Sequence, residues 1–527
     1  MSKIVDNLIV GAGVAGLACA YELLKDNQPV YMVDAQTETE QGGLAKDAFG
    51  GMALVGTPLQ KHQGIDDNPE LAWRDWCSFA QFQDTDIWPK RWAKYYVEHS
   101  YDKIYTWLTE LGIRFLPLVN WVERGDKVKG NSVPRYHVIW GTGRYLVNQL
   151  ISAISSFNKQ LTCQWQTKVT DIQKLPKTGY SVQLSNGQTI ECKNLILACG
   201  GINGNLDKVR ENWDTSFSPA PKPLLNGSHP SADGSLHERV NQLGGRVTHL
   251  EWMWNYAAGI EHPNAKFKHH GLSLIPPKTA LWVDAFGNRI GPEPMVTAFD
   301  THDLCHRIAN LPHQYSWQIL NRKIALKEIA VSGSDMNPSI RDRSIFGLAR
   351  DVLFGNKWLV DYLTTQCPDV ITASSLPELV EKMNDHSPQA NINELTLRSS
   401  LEPFDRQLKQ GVKFHNDAQL RRISQLRNWK GDRVRTYKSQ PILDEKAGPL
   451  IAIKETIISR KSMGGMQTNL NSQVLDNNGD SLPGLYAIGE AAGFGGGGIS
   501  GNRSLEGTFL SSCILTARQA ASAITVA

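Results

Sequence analysis

The chain of 527 residues lacks several features that would narrow its class at once. Its eight cysteines are scattered, with no C-x-x-C pair and no histidine spacing suited to zinc, so we expect single thiols rather than a disulfide framework or a metal site. No apolar run reaches the roughly 18 to 20 residues that a membrane span requires. Neither sign of charge dominates, since 55 Lys and Arg stand against 52 Asp and Glu, and we therefore expect no nucleic-acid partner.

The N-terminal stretch MSKIVDNLIVGAG enters an apolar strand after a single lysine. That leaves no room for the charged, apolar and cleavage regions of a signal peptide, and we expect a cytoplasmic protein. There is no internal repeat, and the only low-complexity tract is the run of four glycines at 495–498. At roughly 100 to 200 residues per domain, the length favours two domains.

The first 35 residues predict a βαβ unit. The apolar run NLIVGAG is followed by VAGLACAYELLKD, which has helical spacing of its apolar residues, and then by the strand-like PVYMVDA. Gly11, Gly13 and Gly16 form G-x-G-x-x-G at the turn from strand to helix, and Asp34 ends the second strand. These glycines permit a tight turn, approach of a pyrophosphate and close helix packing, while the acidic residue can accept hydrogen bonds from a ribose. The pattern predicts dinucleotide binding.

Other stretches predict the elements that follow. Residues 73–107 carry eleven aromatic residues, several at amphipathic helix spacing, and these form either a helix core or the wall of an apolar substrate cavity. The motif SNGQ predicts a hairpin turn between two β-rich runs, and HPSADGSLHERVNQLGG predicts a loop that leads into a helix. A last helix is predicted over about 504–524.

Motifs beyond the βαβ unit favour FAD over NAD. QGGLAKDAFGGMAL follows Asp34, a distant NLILACGG ends in glycines, and GLYAIGE precedes a glycine-rich turn near the C-terminus. This set resembles the FAD-dependent family that contains soluble fumarate reductases, L-aspartate oxidase and 3-ketosteroid dehydrogenases, most strongly over residues 7–56 and 450–521. The resemblance implies an α/β fold in which both chain ends, residues 1–254 and 447–527, form a Rossmann-type FAD-binding domain. An α+β substrate-capping domain, residues 255–446, is inserted between them.

The resemblance also implies the FAD contacts, motif by motif. The Gly42–Gly43 pair would wrap the pyrophosphate, the Gly50–Gly51 pair would approach the flavin ring, and Glu490 would bind a ribityl hydroxyl. The helix after Ser504 would stabilise the reduced flavin through its positive N-terminus. The implied FAD-binding residues are Gly11, Gly13, Val14, Ala15, Gly16, Asp34, Ala35, Gly42, Gly43, Leu44, Gly50, Gly51, Met52, Val169, Ala198, Gly200, Asp233, Gly489, Glu490, Ser504 and Leu505.

The groups that bind substrate carboxylates in the family's fumarate reductases are replaced in this chain, although the arginine of the GNRIGPE segment is kept. This chain departs from the fumarate reductases at four motifs. Trp254, Asn255 and Tyr256 stand where those enzymes have HPT, and His302 stands where they have the arginine that donates a proton. Arg460 and Lys461 stand at the histidine of their HTMGG motif, and Arg503 lies one position before the place of the arginine in their HGANRLGG motif. These departures argue against fumarate reduction.

The stretches NSVPR-aromatic-H, KSMGG and LEGTFL resemble bacterial FAD-binding dehydrogenases related to 3-ketosteroid dehydrogenases. The resemblance implies a dehydrogenase, or an ene-reductase in reverse, that acts on the C–C bond next to a carbonyl of a bulky, mostly apolar, ketosteroid-like substrate. A base removes the proton beside the carbonyl while hydride leaves for flavin N5, and an electrophile polarises the carbonyl.

The C-terminal tyrosine of the steroid enzymes has no match in SGNRSLEG. The candidate catalytic residues are Tyr136, His137 and Tyr256 as bases, Arg503 and Lys461 as electrophiles, and Arg289 and His302 without an assigned role.

Two other functions stay open at this point: reduction of an unsaturated carboxylic acid as in fumarate reductases, and a non-catalytic flavin-binding redox sensor. We expect a small-molecule substrate and an external electron acceptor or donor, because no second nucleotide motif is present. The glycines at 495–498 are expected to pass along the cofactor, where a Cβ would strike the ring or the substrate. A mobile loop is the alternative.

Overall fold

The computed structural model describes residues 3–526 and has a mixed α/β fold. In chain order, its strands are β1 (Lys3–Val10), β2 (Val30–Val33), β3 (Gly51–Ala53), β4 (Tyr136–Val138), β5 (Leu161–Gln164), β6 (Val169–Lys174), β7 (Tyr180–Leu184), β8 (Thr189–Leu197), β9 (Leu225–Asn226), β10 (Val247–Thr248), β11 (Met253–Glu261), β12 (Gly271–Ile275), β13 (Leu281–Val283), β14 (Tyr315–Asn321), β15 (Ala330–Ser332), β16 (Val370–Ala373), β17 (Leu450–Ser462), β18 (Gly465–Met466), β19 (Gln473–Leu475) and β20 (Ser481–Ala487).

The α-helices of the described residues are α1 (Val14–Lys25), α2 (Gly43–Asp47), α3 (Pro58–His62), α4 (Pro69–Ala80), α5 (Ile87–His99), α6 (Trp107–Glu110), α7 (Thr142–Ser155), α8 (Leu206–Glu211), α9 (Ser235–Gln242), α10 (Thr301–Ala309), α11 (Arg322–Glu328), α12 (Pro338–Arg341), α13 (Ile345–Phe354), α14 (Lys357–Gln366), α15 (Leu376–His386), α16 (Glu394–Gln410), α17 (Ala418–Leu426), α18 (Lys430–Arg435) and α19 (Thr508–Val526). None of these helices is both long enough and apolar enough to cross a bilayer.

The chain divides into two compact units. The first unit consists of the chain up to Trp213, Ser228–Trp254 and the chain from Arg460 onward; the second consists of Asp214–Gly227 and Asn255–Ser459. These limits describe contacts within each unit, and the functional domains expected from the sequence stay a prediction.

The first unit is built on a sheet whose main strands run in the order β19-β20-β8-β1-β2-β5. β1 pairs in parallel with β2 and β8, and β20 pairs in parallel with β8, so strands from both ends of the chain share this sheet. The strands β6 and β7 extend it as an antiparallel hairpin beside β8. β1 ends in four fully or almost fully buried residues, as parallel strands covered on both faces do.

The predicted βαβ unit and the SNGQ turn are confirmed. The turn joins β7 to β8, with Gly187 in the left-handed region and the Leu184 amide donating to the Gln188 carbonyl at 2.9 Å. The predicted loop and helix around HERVNQL correspond to α9. The last helix begins at Thr508 instead of 504, because Gly507 has a φ of +100° that a helix does not accommodate.

The aromatic segment at 73–107 forms the core of α4 to α6, as the first of its two interpretations predicted. Trp76, Phe79, Trp92 and Tyr96 are each at most 3% exposed. The Trp76 ring packs on the Tyr96 ring with their centroids 5.0 Å apart.

The second unit contains a mostly antiparallel sheet in the order β13-β14-β17-β11-β12-β15, with β16 and β9 also paired to β17. β14 and β17 are paired over seven residues, and the β14 residues are all buried. Helices α10 to α18 belong to this unit, and the longest of them, α16, spans 17 residues.

Candidate active site

The three glycines of the first turn have three different surroundings. A Cβ on Gly11, whose φ is +107°, would clash with the Ala198 carbonyl, and one on Gly16 would clash with the Gly11 carbonyl. A Cβ on Gly13 would meet no protein atom within 4 Å, and Gly13 is the N-cap of α1. The first and third glycines are therefore required by packing, while the second leaves open space at a helix N-terminus, where a phosphate is stabilised.

Asp34 holds the same turn from the second strand. Its Oδ2 accepts a hydrogen bond from the Ala12 amide at 2.6 Å, and its Oδ1 accepts one from the Gln36 amide at 2.7 Å. Each carboxylate oxygen has a further lone pair, so the side chain can also accept from a ribose hydroxyl.

Replacement of Asp34 by alanine is expected to weaken FAD binding about 10- to 100-fold, since it removes the acceptor of two backbone amides and of the ribose, worth roughly 1.5 to 3 kcal/mol. Titration of the apoprotein with FAD, followed by flavin fluorescence, measures this. Asp6→Ala, on an exposed position of β1, is the control and should bind FAD as the wild type does. Equal affinities of the two variants would contradict the assignment.

The second glycine pair lies directly against the first turn. The Gly42 amide donates to the Ala12 carbonyl at 2.9 Å, and Gly42 forms a bridge with Gly13. Gly42 and Gly43 have φ values of +111° and +53°, and α2 begins at Gly43, so that Leu44 and Ala45 follow in its first turn. Two positive-φ glycines here leave backbone, instead of side chains, beside the open space at Gly13.

The residues expected along the ADP portion lie around the ends of β6 and β8. The Ala198 amide donates to the Val10 carbonyl at 2.8 Å, and Gly200, with φ +77°, lies against Ala232. Asp233 follows Ala232 and accepts from the Ser235 amide at 3.0 Å. Val169, at the start of β6, packs on the core of this sheet. Their contacts with FAD stay a prediction.

Tyr136 lies over the Gly50–Gly51 segment. β4 pairs antiparallel with β3, and a Cβ on Gly51 would overlap the Tyr136 ring. A Cβ on Gly507 would come within 2.9 Å of the same ring. Burial raises the pKa of the half-buried Tyr136 phenol above its ordinary value, and the charge of Glu506 raises it further. The tyrosine is therefore held as a neutral phenol between two glycine backbones.

His137 has both ring nitrogens in hydrogen bonds within the protein. Nδ1 lies 2.7 Å from the Arg135 carbonyl and Nε2 lies 2.8 Å from the Thr57 hydroxyl. The side chain is fully buried, and burial lowers its pKa to about 4. This geometry leaves neither nitrogen for a substrate, which favours a structural role over the predicted base.

Glu490 and Lys461 both lie near the end of β17. Glu490 Oε1 accepts from the Ser462 amide at 2.9 Å, and burial raises the pKa of Glu490 to about 7. Lys461 Nζ lies 4.1 Å from the centroid of the Phe509 ring in the first turn of α19. Burial lowers the pKa of Lys461 to about 8, against the opposing effect of Glu506. Both groups thus change protonation near neutral pH.

Residues 503 to 507 form the turn that precedes α19. Ser504 and Leu505 are buried, and the Ser504 hydroxyl lies 3.1 Å from the Thr508 hydroxyl. Arg503 Nη1 donates to the side chain of Gln81 at 2.5 Å. Arg503 thus contacts an exposed residue that follows α4, which makes it the weaker of the two predicted electrophiles.

Glu506 was not predicted from the sequence, and Trp254 was named there only as a departure from the HPT motif. Trp254 Nε1 donates to Glu506 Oε2 at 2.7 Å, across 252 positions of the chain. Glu506 is the middle residue of the Leu-x-Gly in SGNRSLEG, where the family motif HGANRLGG has glycine. A carboxylate at a glycine position of a glycine-rich turn is a signal that could have identified it.

The three candidate catalytic residues of the second unit lie on separate segments of the chain. Tyr256 is half-buried on β11, and His302 lies in the first turn of α10 with its ring 4.7 Å from that of Phe217. Arg289 binds both carboxylate oxygens of Asp417, at 2.5 and 3.0 Å. Arg289 is thus engaged in a bidentate ion pair inside this unit.

The glycines at 495–498 are required by protein packing. Their φ values are all positive, and the segment is buried and held by backbone hydrogen bonds such as that from Gly497 to the Ala492 carbonyl. A Cβ on Gly496 would lie 2.7 Å from the Trp88 backbone, and one on Gly497 would clash with the Thr248 hydroxyl. Protein atoms alone therefore exclude a side chain at these two positions, and the expected passage of the segment along the cofactor stays a prediction.

Gly496→Ala is expected to lower the free energy of unfolding by about 2 to 5 kcal/mol. The alanine would have to adopt the left-handed conformation of Gly496, and its Cβ would clash with the Trp88 backbone. Chemical denaturation of the purified protein measures the change. The matched control is Gly64→Ala: Gly64 has a similar φ of +72°, but a Cβ there meets nothing within 4 Å, so about 1 kcal/mol is expected. Similar losses in both variants would contradict the packing explanation.

These surroundings fit a flavin dinucleotide: open space at a helix N-terminus, a carboxylate for the ribose, and turns in which backbone replaces side chains. The model of the FAD binding domain family matches residues 6–510, and the chain belongs to this family. The expectation of FAD is confirmed by this membership.

A KsdD-like steroid dehydrogenase of Mycobacterium tuberculosis is 36% identical over 542 aligned residues, which cover 98% of this chain and 94% of the relative. Two solved structures share the fold. A flavocytochrome c3 fumarate reductase in an open conformation has a TM-score of 0.68 at 20% identity, over 100% of this chain and 78% of its own. A 3-ketosteroid-delta4-(5alpha)-dehydrogenase from Rhodococcus jostii RHA1, in complex with 4-androstene-3,17-dione, has a TM-score of 0.65 at 18% identity. The match covers 99% of this chain and 97% of the other chain. The protein is an FAD-dependent dehydrogenase or reductase that acts on CH–CH groups, and it is similar to the KsdD-like steroid dehydrogenases.

Proposed function

We propose that the protein removes hydrogen from the C–C bond beside the carbonyl of a bulky, apolar ketone of the ketosteroid class, or adds it in the reverse direction. The 36% identity to a steroid dehydrogenase over nearly the whole of both chains supports this substrate class. We further propose that both chain ends form the FAD-binding domain and that residues 255–446 form a substrate-capping domain. The shared sheet of β1, β8 and β20 supports the first part.

The observation that carries the proposal is the grouping of Lys461, Glu506 and Tyr136 around the start of α19. The Tyr136 ring packs on Gly507, and the Lys461 ammonium lies over the Phe509 ring. A cation beside a phenol suits a substrate whose carbonyl oxygen gains negative charge, and the chain lacks the histidines that clamp a dicarboxylate in fumarate reductases. Bound FAD accepts the hydride; the protein supplies orientation, carbonyl polarisation and proton transfer.

Anaerobic mixing of the FAD-loaded protein with candidate substrates tests the proposal. We expect a saturated 3-ketosteroid to bleach the oxidised flavin and succinate to leave it yellow. Bleaching by succinate alone would favour reduction of unsaturated acids instead. A flavin that is inert to all ketones, and that after reduction by dithionite is not reoxidised by any enone, would favour a redox sensor.

Among the residues proposed from the sequence, Lys461 is assigned to the carbonyl oxygen and Tyr136 to a hydrogen bond with the substrate. Phenylalanine at Tyr136 and at Tyr256, and alanine at Arg503, each with FAD still bound, separate these assignments. Turnover unchanged in the Tyr136 variant would remove it from the site.

A further inference from the structure

Glu506 is a half-buried carboxylate just before α19, and it has no assigned role in the reaction. It lies one residue before Gly507, against which the Tyr136 ring packs, and three before Phe509, which lies under the Lys461 ammonium. Its negative charge raises the pKa of both Tyr136 and Lys461. The carboxylate is therefore adjacent to both groups assigned to the substrate.

Trp254 gives Glu506 a fixed orientation. Its buried indole donates a hydrogen bond of 2.7 Å to Oε2. An N–H donor stabilises the ionised form of a carboxylate, and a carboxylate, with two lone pairs on each oxygen, can accept a proton as well as an indole hydrogen bond. A carboxylate with this geometry is a positioned proton acceptor.

The Tyr136 phenol is a poorer proton acceptor than the Glu506 carboxylate. Burial and the adjacent Glu506 charge both raise the pKa of its phenol, so the phenolate that would act as a base is disfavoured at neutral pH. A phenol is not ionised at that pH. His137, the second predicted base of this unit, has both ring nitrogens engaged.

We infer that Glu506 is the catalytic base that takes the proton from the carbon beside the substrate carbonyl, with Trp254 as its positioning residue. In this step the C–H bond breaks, the proton passes to the Glu506 carboxylate, and the electron pair forms the enolate. The Lys461 ammonium stabilises the enolate oxygen. With FAD bound, the flavin would take the hydride from the neighbouring carbon, and the new C=C bond would then be complete. The inference rests on the proposed function.

Hydrogen exchange isolates this step from hydride transfer. The holoenzyme is reduced with dithionite under anoxia in deuterated water, so that its flavin cannot accept hydride, and deuterium uptake beside the carbonyl of a saturated 3-ketosteroid is followed by NMR. We expect Glu506→Gln to slow exchange about 100- to 10,000-fold, the usual contribution of a general base. Glu506→Asp should restore part of the rate, and Trp254→Phe should lower it about tenfold by loss of one hydrogen bond to a charged group.

The matched control is Glu22→Gln. Glu22 also accepts from a tryptophan, Trp107 Nε1 at 2.8 Å, but lies on α1 beside Arg518. Its replacement should leave exchange unchanged. Retained flavin absorbance and melting temperature in each variant establish that it is folded.

The outcomes separate the two claims. Exchange by the wild type that persists at full rate in Glu506→Gln would overturn the inference and leave the proposed function standing. A wild type that neither exchanges nor is reduced by any ketone would overturn the proposed function, and this inference with it.

Discussion

Replacement of Arg135 by methionine is expected to lower the free energy of unfolding by about 3 to 5 kcal/mol, because it leaves buried carboxylates without their partner. Arg135 is 2% exposed and forms a bidentate pair with Asp67, with Nε at 2.9 Å and Nη2 at 2.8 Å from its oxygens. Its Nη1 donates to Asp75 at 2.6 Å and to Asn131 at 2.9 Å. Denaturant unfolding of the protein measures the loss.

The same change should also weaken the candidate active site. Arg135 directly precedes Tyr136, and the Arg135 carbonyl accepts the hydrogen bond from His137. As a control, Arg350→Met removes an ion pair with Asp351 in which the arginine is 65% exposed, and a change below about 1 kcal/mol is expected. Comparable losses in both variants would show that burial does not set the cost.

The second large effect is expected at Lys461. Lys461→Met should reduce kcat/KM by about 100- to 1,000-fold, the cost of one group that stabilises a developing oxyanion, while FAD stays bound. Steady-state kinetics with a ketone that reduces the flavin measures it. Lys454→Met is the matched control, since Lys454 also lies over an aromatic ring, that of Tyr315 at 4.7 Å, but belongs to the second unit. An equal effect of both substitutions would contradict the role of Lys461.

The pH dependence follows from the pKa of about 8 to which burial lowers Lys461. The ammonium is the active form, so kcat/KM should hold below pH 8 and fall above it as the amine loses its proton. Lys461→Arg keeps its charge to much higher pH and should shift this alkaline limb upward. A wild-type profile that rises through pH 8 would show that the neutral amine is the active form.

Local features of the site were predictable because a few neighbouring residues determine them. The turn of Gly11, Gly13 and Gly16 and the acidic residue Asp34 lie within a 24-residue stretch whose strand and helix signals are unambiguous. The family match confirms the FAD that this turn predicts. The mixed α/β fold was also expected from the same signals.

Contacts between distant parts of the chain were not predictable in the same way. The pair of Trp254 and Glu506 joins residues 252 positions apart, and nothing in the local sequence of either residue indicates the other. Gly496 lies against Trp88, about 400 positions away, so the reason for its glycine could not be read from its own neighbours. His137 was predicted as a base from its own motif, whereas its Nε2 lies 2.8 Å from the hydroxyl of Thr57, which is 80 positions away in the chain.

The amino-acid sequence by itself determined the cofactor, the family and the nucleotide-binding turn, since glycine positions and hydrophobic periodicity act over a few residues. Only the tertiary structure decided which polar groups lie near the start of α19, and that Gly495, Gly496 and Gly498 pack against tryptophans while Gly497 packs against Thr248. The physical reason is that strand pairing and core packing bring these groups together over hundreds of residues. A carboxylate such as Glu506 acquires its chemical role from neighbours that the fold supplies.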